Sequence, residues 1–182
     1  GYSIIAFQTA YLKTYFPVQY MTAVLTFESD AKKSEDWAPY ISDCKRTYFP
    51  DHTEKKNHVG FKVGPPDINN SDSSFSVVYD GGEEKTNLNG SVLFGLGAIK
   101  GAGGIAVNAI VKERRSFGAY KSIFDFCSRL SSRIVNRSTI ESLIRGGAFD
   151  KIHGVEKRSA LIDALDSAIA FGASEAEDKR VG

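Results

Sequence analysis

Gly101-Ala-Gly103-Gly-Ile-Ala106 is the stretch of this chain best equipped to hold an anion. Glycines leave backbone N–H groups uncovered, and at a helix start those groups carry a partial positive charge that phosphates bind. A helical run follows and ends in the basic residues Lys112, Arg114 and Arg115. Two kinds of phosphate come into question, a nucleotide cofactor's and a nucleic-acid backbone's. Gly101, Gly103 and Ala106 meet the loose G-x-G-x-x-[GA] pattern of a dinucleotide loop. That fold needs a strand running straight into the first glycine and an acid ending a second strand about 20 residues on. Here Ala98-Ile-Lys100, of helical character, intervenes, and Asp125 lies in the helical pattern SIFDFC. No G-x-x-x-x-G-K-[ST] loop is present.

Placed between two helices, the same residues describe a helix-hairpin-helix. Gly101 and Gly103 permit the tight turn, and Ala102 plugs the apolar space beneath it. The open amides, those of Gly104 among them, can coordinate a phosphate oxygen of DNA. Ala106 and Ala109 are small enough for the helices to approach closely. Lys100, Lys112, Arg114 and Arg115 supply counter-charge. Such contacts grip the backbone and read no bases. A glycine turn that serves packing alone is the competing reading. A second helix-turn-helix follows, Phe124–Leu130, SSRIVN and Arg137–Arg145, without the Gly-x-Gly signature. It reads mainly as the structural partner of the first, with Arg133 and Arg137 able to reach a backbone.

Charge supports a polyanion partner. The net charge is +1, yet residues 91–145 carry nine Lys/Arg against three Asp/Glu, and the flanking segments are net acidic. A positive patch of this kind favours nucleic acid, with a solvated basic face as the plain alternative. The 182 residues suffice for one medium core or two small ones. No apolar run has the length of a membrane span, and the chain opens in helical periodicity without Met or cap, as a piece of a longer protein would. Cys44 and Cys127 are the two cysteines, with no CxxC, so neither a disulfide framework nor a zinc ribbon is indicated and a cytoplasmic setting is expected. Cys44, Asp51, His52 and His58 straddle a loop without zinc spacing. No metal, cofactor or catalytic residue is expected in this chain.

The elements that would position the hairpin are mainly helical, giving a mainly α (α+β) fold. Ile4–Tyr15 has helical spacing, with Ile4, Ile5, Phe7, Ala10, Tyr11 and Leu12 apolar. Pro17 opens a second helix with Val18, Met21, Val24 and Leu25 as its stripe. A third is expected from about Ser34, as its cap, to Arg46, with Trp37, Ile41 and Cys44 inward. The polar run near 48–60 reads as a surface insertion. Alternation at Val59, Phe61, Val63 and at Phe75, Val77, Tyr79, and then SVLFGL, marks three short strands. Short helices follow at Ala98–Lys100 and Ile105–Arg114, then one in Ser122–Leu130. Asn136 caps a helix that stops at Gly146–Gly147. Val155–Phe171 makes a last helix with Leu161, Ile162, Leu165 and Ile169 inward. The domains expected are 1–90, 91–172 for the hairpin region, and a flexible tail over 173–182.

SIIAFQTAYLKTYFPVQYMTAVLT, PYISDCKR, GPPDINNSDSSFSV, VLFGLGAIKGAGGIAVNAIVKER and YKSIFDFCSRLSSRIVNRSTIESLIRGGAFD resemble, in this order, the alpha subunits of the bacterial C-family replicative DNA polymerases. The resemblance covers nearly the whole chain, and FGLGAIKGAG is its most specific run. It implies that 1–90 is the distal part of a fingers domain and that the rest holds duplex DNA behind an active site. It also implies DNA-directed DNA synthesis by a longer protein, with Mg2+ on palm aspartates that precede residue 1, and a sliding clamp and other replisome subunits as partners. This segment alone would be inactive. Two other classes stay open from the residues themselves: an independent helix-hairpin-helix adaptor of DNA repair, and a nucleotide-dependent enzyme using the glycine loop.

Overall fold

The computed structural model describes residues 1–47, 60–81, 85–86 and 89–181, and it is mainly helical with one small sheet. The insertion expected near 48–60 falls, apart from Gly60, outside the described residues. The chain forms two compact units, Gly1–Gly64 with Phe75–Phe94, and Pro65–Ser74 with Gly95–Gly182. The loop Pro65–Ser74 thus packs with the second unit, although its place in the chain assigned it to the first.

In the first unit, Pro17 stands at the first position of α2 (Pro17–Ala31), where its missing N–H leaves no bond unmade. Val18, Met21 and Leu25 of α2 are buried, as its stripe requires. α3 (Ser34–Cys44) buries Trp37 and Cys44, while Ile41 is half-buried. Ser34 is the first helical residue and not the cap. Lys33 holds that place without a side-chain bond, and Glu35 and Asp36 put negative charge at the helix start instead. α1 (Tyr2–Tyr15) forms where helical spacing predicts it but buries none of its residues. Its apolar residues lie at the surface, where Phe7, Tyr11 and Tyr15 approach one another at 6.2 and 4.7 Å between ring centroids.

Three strands, β1 (Val63–Gly64), β2 (Ser76–Val78) and β3 (Ser91–Leu93), make a sheet of order β1-β3-β2. Val92 pairs with Val63 in parallel and with Val77 antiparallel. Phe75 and Phe94 reach Trp37 at 5.9 and 5.8 Å between ring centroids, so three aromatic rings fill the space between helix and sheet.

The second unit holds α4 (Gly104–Phe117), α5 (Ile123–Arg129), α6 (Arg137–Arg145), α7 (Asp150–His153), α8 (Arg158–Asp163) and α9 (Leu165–Val181). Phe126 joins Tyr120 at 4.9 Å and Phe149 at 5.2 Å in its core. Ser122 and Asn136 cap α5 and α6 by accepting from Asp125 N–H and Thr139 N–H. The last helix was expected unbroken over Val155–Phe171. It is instead divided at Ala164 into α8 and α9, with a one-turn 3-10 helix before them. The run expected as a flexible tail continues α9 as far as Val181, since alanine, glutamate and lysine are good helix formers.

Candidate nucleic-acid interface

The hairpin turn forms, but the short helix expected at Ala98–Lys100 lies two residues earlier. Leu96–Ala98 makes a single 3-10 turn, and Ile99 already has extended backbone angles, φ -73 and ψ 119. Gly95 and Gly97 disfavour a full α-helix there. The chain then turns through Lys100–Gly103. Ala102 donates its N–H to the Ile99 carbonyl at 3.0 Å and is fully buried, the plug its position called for. Gly101 and Gly103 take φ of +88 and +70, angles that L side chains rarely adopt.

Val107 N–H to the Gly103 carbonyl, 3.0 Å, is the first bond of α4. The amides of Gly104, Ile105 and Ala106 therefore precede any helical acceptor. No side chain caps them. Gly101, Gly103, Gly104 and Ile105 are all exposed, so the first two of these donors lie on residues at the surface, at the positive end of a 14-residue helix, while Ala106 is buried. The glycines differ in what they serve. A Cβ at Gly101 would lie 2.6 Å from Ser142 Oγ, so this glycine also lets the turn close on α6. A Cβ at Gly104 would meet nothing within 4 Å, and its φ is not positive. Nothing inside the protein requires glycine at 104; bare backbone there leaves room for something outside.

The basic residues divide into two groups. Lys100, Lys112, Arg115 and Arg133 have exposed side chains. Ile105, Asn108, Lys112 and Arg115 recur at three- and four-residue intervals and are all exposed, so they share the outer face of α4. Arg115 on that face also meets Asp72 Oδ1 at 2.8 Å. Arg114 departs from its expected role. It points inward with its side chain 9% exposed and donates to the carbonyls of Ile68 at 2.8 Å and Ser71 at 2.9 Å. Its guanidinium fastens a loop and does not stand ready for phosphate. Arg137 is exposed but engaged by Asp166 at 2.7 Å and Glu141 at 2.8 Å.

The second hairpin repeats the first with a constant offset. Adding 33 to Ala102, Ala106, Val107, Ile110 and Val111 gives Val135, Thr139, Ile140, Leu143 and Ile144, and every one of these residues is buried. Val135 is thus the counterpart of the Ala102 plug, and Asn136 that of Gly103. The difference lies at the helix start. Asn136 Oδ1 accepts from Thr139 N–H at 2.9 Å and fills the place that is open in the first hairpin.

Sequence reasoning missed the loop Pro65–Ser74 as a partner of the hairpin unit. Asn69 exchanges two hydrogen bonds with the Tyr120 backbone, 2.9 and 2.7 Å, and the Tyr120 hydroxyl donates to the Ile110 carbonyl at 2.8 Å. Asp67 is buried. Although burial raises its pKa, bonds from Asn70, Lys151 and the Asn69 amide outweigh this and hold it below the usual carboxylate range. The signal was present in PPDINNSD, whose Asp and Asn residues are those that bond to nearby backbone. Ile105, 82% exposed, was noted only as part of a helix. Cys44 and Cys127 are both buried, and burial pushes each thiol up to about 11, away from nucleophilic chemistry at neutral pH. Among the described residues no group of three or more His, Cys, Asp or Glu is placed to hold a metal ion, and no helix is long and apolar enough to cross a membrane. Asp51, His52 and His58 lie outside the described residues.

Comparison with known proteins bears on this geometry directly. A helix-hairpin-helix motif family matches residues 60–160, a span that takes in both hairpins and the Pro65–Ser74 loop. The chain is 43% identical over 177 residues to the DNA polymerase III subunit alpha of Deinococcus radiodurans, covering 97% of this chain and 11% of that protein. It is 36% identical to the subunit alpha of Haemophilus influenzae over 100% of this chain and 14% of the relative. For the Escherichia coli K12 protein the identity is 31%, again over 100% of this chain and 14% of the relative. The chain thus spans between 11% and 14% of the length of these relatives. The resemblance read from its motifs holds along nearly all of it. The chain belongs to the helix-hairpin-helix family.

Proposed function

From that membership we propose that the unit of Pro65–Ser74 and Gly95–Gly182 holds duplex DNA by its backbone, as one segment of a DNA polymerase III alpha subunit. The observation that carries this is the uncapped, glycine-floored start of α4 inside a family named for the hairpin. In the proposed contact, the amides of Gly104, Ile105 and Ala106 donate to a phosphate oxygen, Gly101, Ala102 and Gly103 shape the turn, and Lys100, Lys112, Arg115 and Arg133 add screened attraction. Binding is independent of sequence and falls steeply with salt, because each neutralised phosphate releases counterions.

The longer protein would be the DNA-directed DNA polymerase, cytoplasmic, with Gly1–Gly64 and Phe75–Phe94 belonging to its fingers. The sliding clamp and other replisome subunits would be its partners. Magnesium would sit on the palm aspartates of that longer protein. The 182-residue chain should accordingly fail to extend a primed template, and templated incorporation by the purified chain would overturn that placement of the chemistry.

Gly104→Asp tests the phosphate site. An acid in the first turn of α4 and the loss of a helical glycine both favour folding, by about 0.5 kcal/mol or more together. The same carboxylate faces a bound phosphate and should weaken duplex binding roughly tenfold at low salt. Melting temperature and DNA affinity must therefore move in opposite senses, which unfolding cannot produce. If affinity is unchanged, the phosphate lies more than a screening length away and the reading fails.

A further inference from the structure

Gly101–Ala106 presents a single exposed side chain. Gly101, Gly103 and Gly104 have none, Ala102 and Ala106 are buried, and Ile105 is 82% exposed, the most exposed of the large apolar residues described in its unit. Its own amide is one of the three donors that precede any helical acceptor. Helical side chains lean toward the N-terminus, so the Ile105 methyl groups overhang the turn in which those amides lie. Branching at Cβ leaves the side chain few rotamers to lose on contact. The second hairpin has Ser138 at the equivalent place, 33 residues on, and there the helix start is already capped.

We propose that Ile105 packs against the sugar next to the held phosphate and makes this site prefer a deoxyribose to a ribose backbone. The inference rests on the phosphate-holding reading of the hairpin. On either side of a backbone phosphate the next groups are sugars, so an apolar side chain overhanging the phosphate site meets carbon atoms of the sugar. A deoxyribose offers apolar surface to that contact. A ribose brings a hydroxyl whose water would be displaced by an isoleucine that cannot hydrogen-bond in return. The amides supply affinity for phosphate of either kind, and Ile105 supplies the discrimination.

The test measures binding of the 182-residue chain to duplex DNA and to duplex RNA of the same sequence, for the parent, Ile105→Ser and Ile105→Lys. Ile105→Ser should bind DNA about fivefold more weakly, the cost of the lost apolar contact, with its salt dependence unchanged. Its preference for DNA over RNA should shrink by about the same factor. Ile105→Lys should bind both duplexes more tightly and steepen the salt slope by about one, because the new cation reaches a phosphate. Circular dichroism of both variants should match the parent, since the replaced side chain is at the surface. An unchanged DNA-to-RNA ratio in Ile105→Ser would overturn the inference and leave duplex shape as the source of any preference. An unchanged salt slope in Ile105→Lys would overturn it by removing the residue from the contact. Should Gly104→Asp weaken binding while both Ile105 variants behave as the parent, the sugar contact alone is refuted. If Gly104→Asp has no effect either, both readings fall.

Discussion

The two hairpins share a buried frame and differ at the one place where a ligand would bind. Five buried positions of the first, from Ala102 to Val111, recur 33 residues later from Val135 to Ile144. In the first, Gly103 begins α4 with no side-chain bond, and the next donors are open. In the second, Asn136 precedes α6 and its side chain accepts from the Thr139 N–H, while Arg137 beside it is held by Asp166 and Glu141. One frame thus supports two outcomes: an end left open for an external anion, and an end closed by the protein itself. What separates them is the chemistry of the first residues of the helix, Gly103-Gly-Ile105 against Asn136-Arg-Ser138, since the same positions are buried beneath both.

The largest expected effect concerns how the open hairpin is kept rigid. Arg114 leaves the outer face of α4 to bind the carbonyls of Ile68 and Ser71, with Asp72 also within 3.3 Å. Arg114→Ala would strand two carbonyls and a fully engaged loop, at about 2–4 kcal/mol of stability. Thermal melting should show this loss, while Arg115→Ala, on the exposed face, should melt close to the parent. Equal melting of the two variants would break the division between inward and outward arginines.

This arginine also marks how far the residues alone could be read. The hairpin turn, its plug at Ala102 and the cap at Asn136 follow from local chemistry, because glycine angles and capping bonds are settled within a few residues. Arg114 and Arg115 are adjacent and chemically alike. Only a partner more than 40 positions away in the chain, the loop from Ile68 to Asp72, turns one inward onto two carbonyls, while the other stays on the outer face and reaches the Asp72 carboxylate alone. The exposure of α1 could not be read for a similar reason. Helical spacing made Phe7, Tyr11 and Leu12 a face, but spacing cannot say whether anything covers it.

A smaller effect is expected from removing the cap that closes the second hairpin. Asn136→Ala should cost about 1 kcal/mol, and Asn136→Gly only a few tenths, since glycine is a fair cap residue. Chemical denaturation measures both. Neither variant should bind duplex DNA less well once folding is accounted for, because the second helix start is already occupied by the protein's own side chain. A loss of affinity in folded Asn136→Gly comparable to that of Gly104→Asp would place phosphate on both hairpins and erase the difference between them.

The smallest effect is one of acidity, and it too belongs to the closed hairpin alone. His153 Nε2 accepts the Ile123 N–H at 3.1 Å, beside the Ser122 cap of α5, so this nitrogen must be unprotonated. Burial lowers the His153 pKa below its ordinary 6.5, in the same direction as the hydrogen bond requires. The unfolded chain then takes up a proton near pH 6.5 while the folded chain does not. Stability from this group is therefore fully present above that value and declines as pH falls toward the folded pKa. Asp67 and Glu141 have pKa values lowered from the ordinary carboxylate range, which itself lies below this window. The melting temperature of the parent should fall between pH 6.5 and 5, and His153→Gln, whose amide oxygen can accept but not titrate, should lose that part of the slope. Salt-dependent DNA binding through the first hairpin should stay level over the same range, since His153, the histidine among the described residues, bonds to Ile123 and not to those amides. An identical acid slope in His153→Gln would move the titration elsewhere and leave the two hairpins alike in their response to acid.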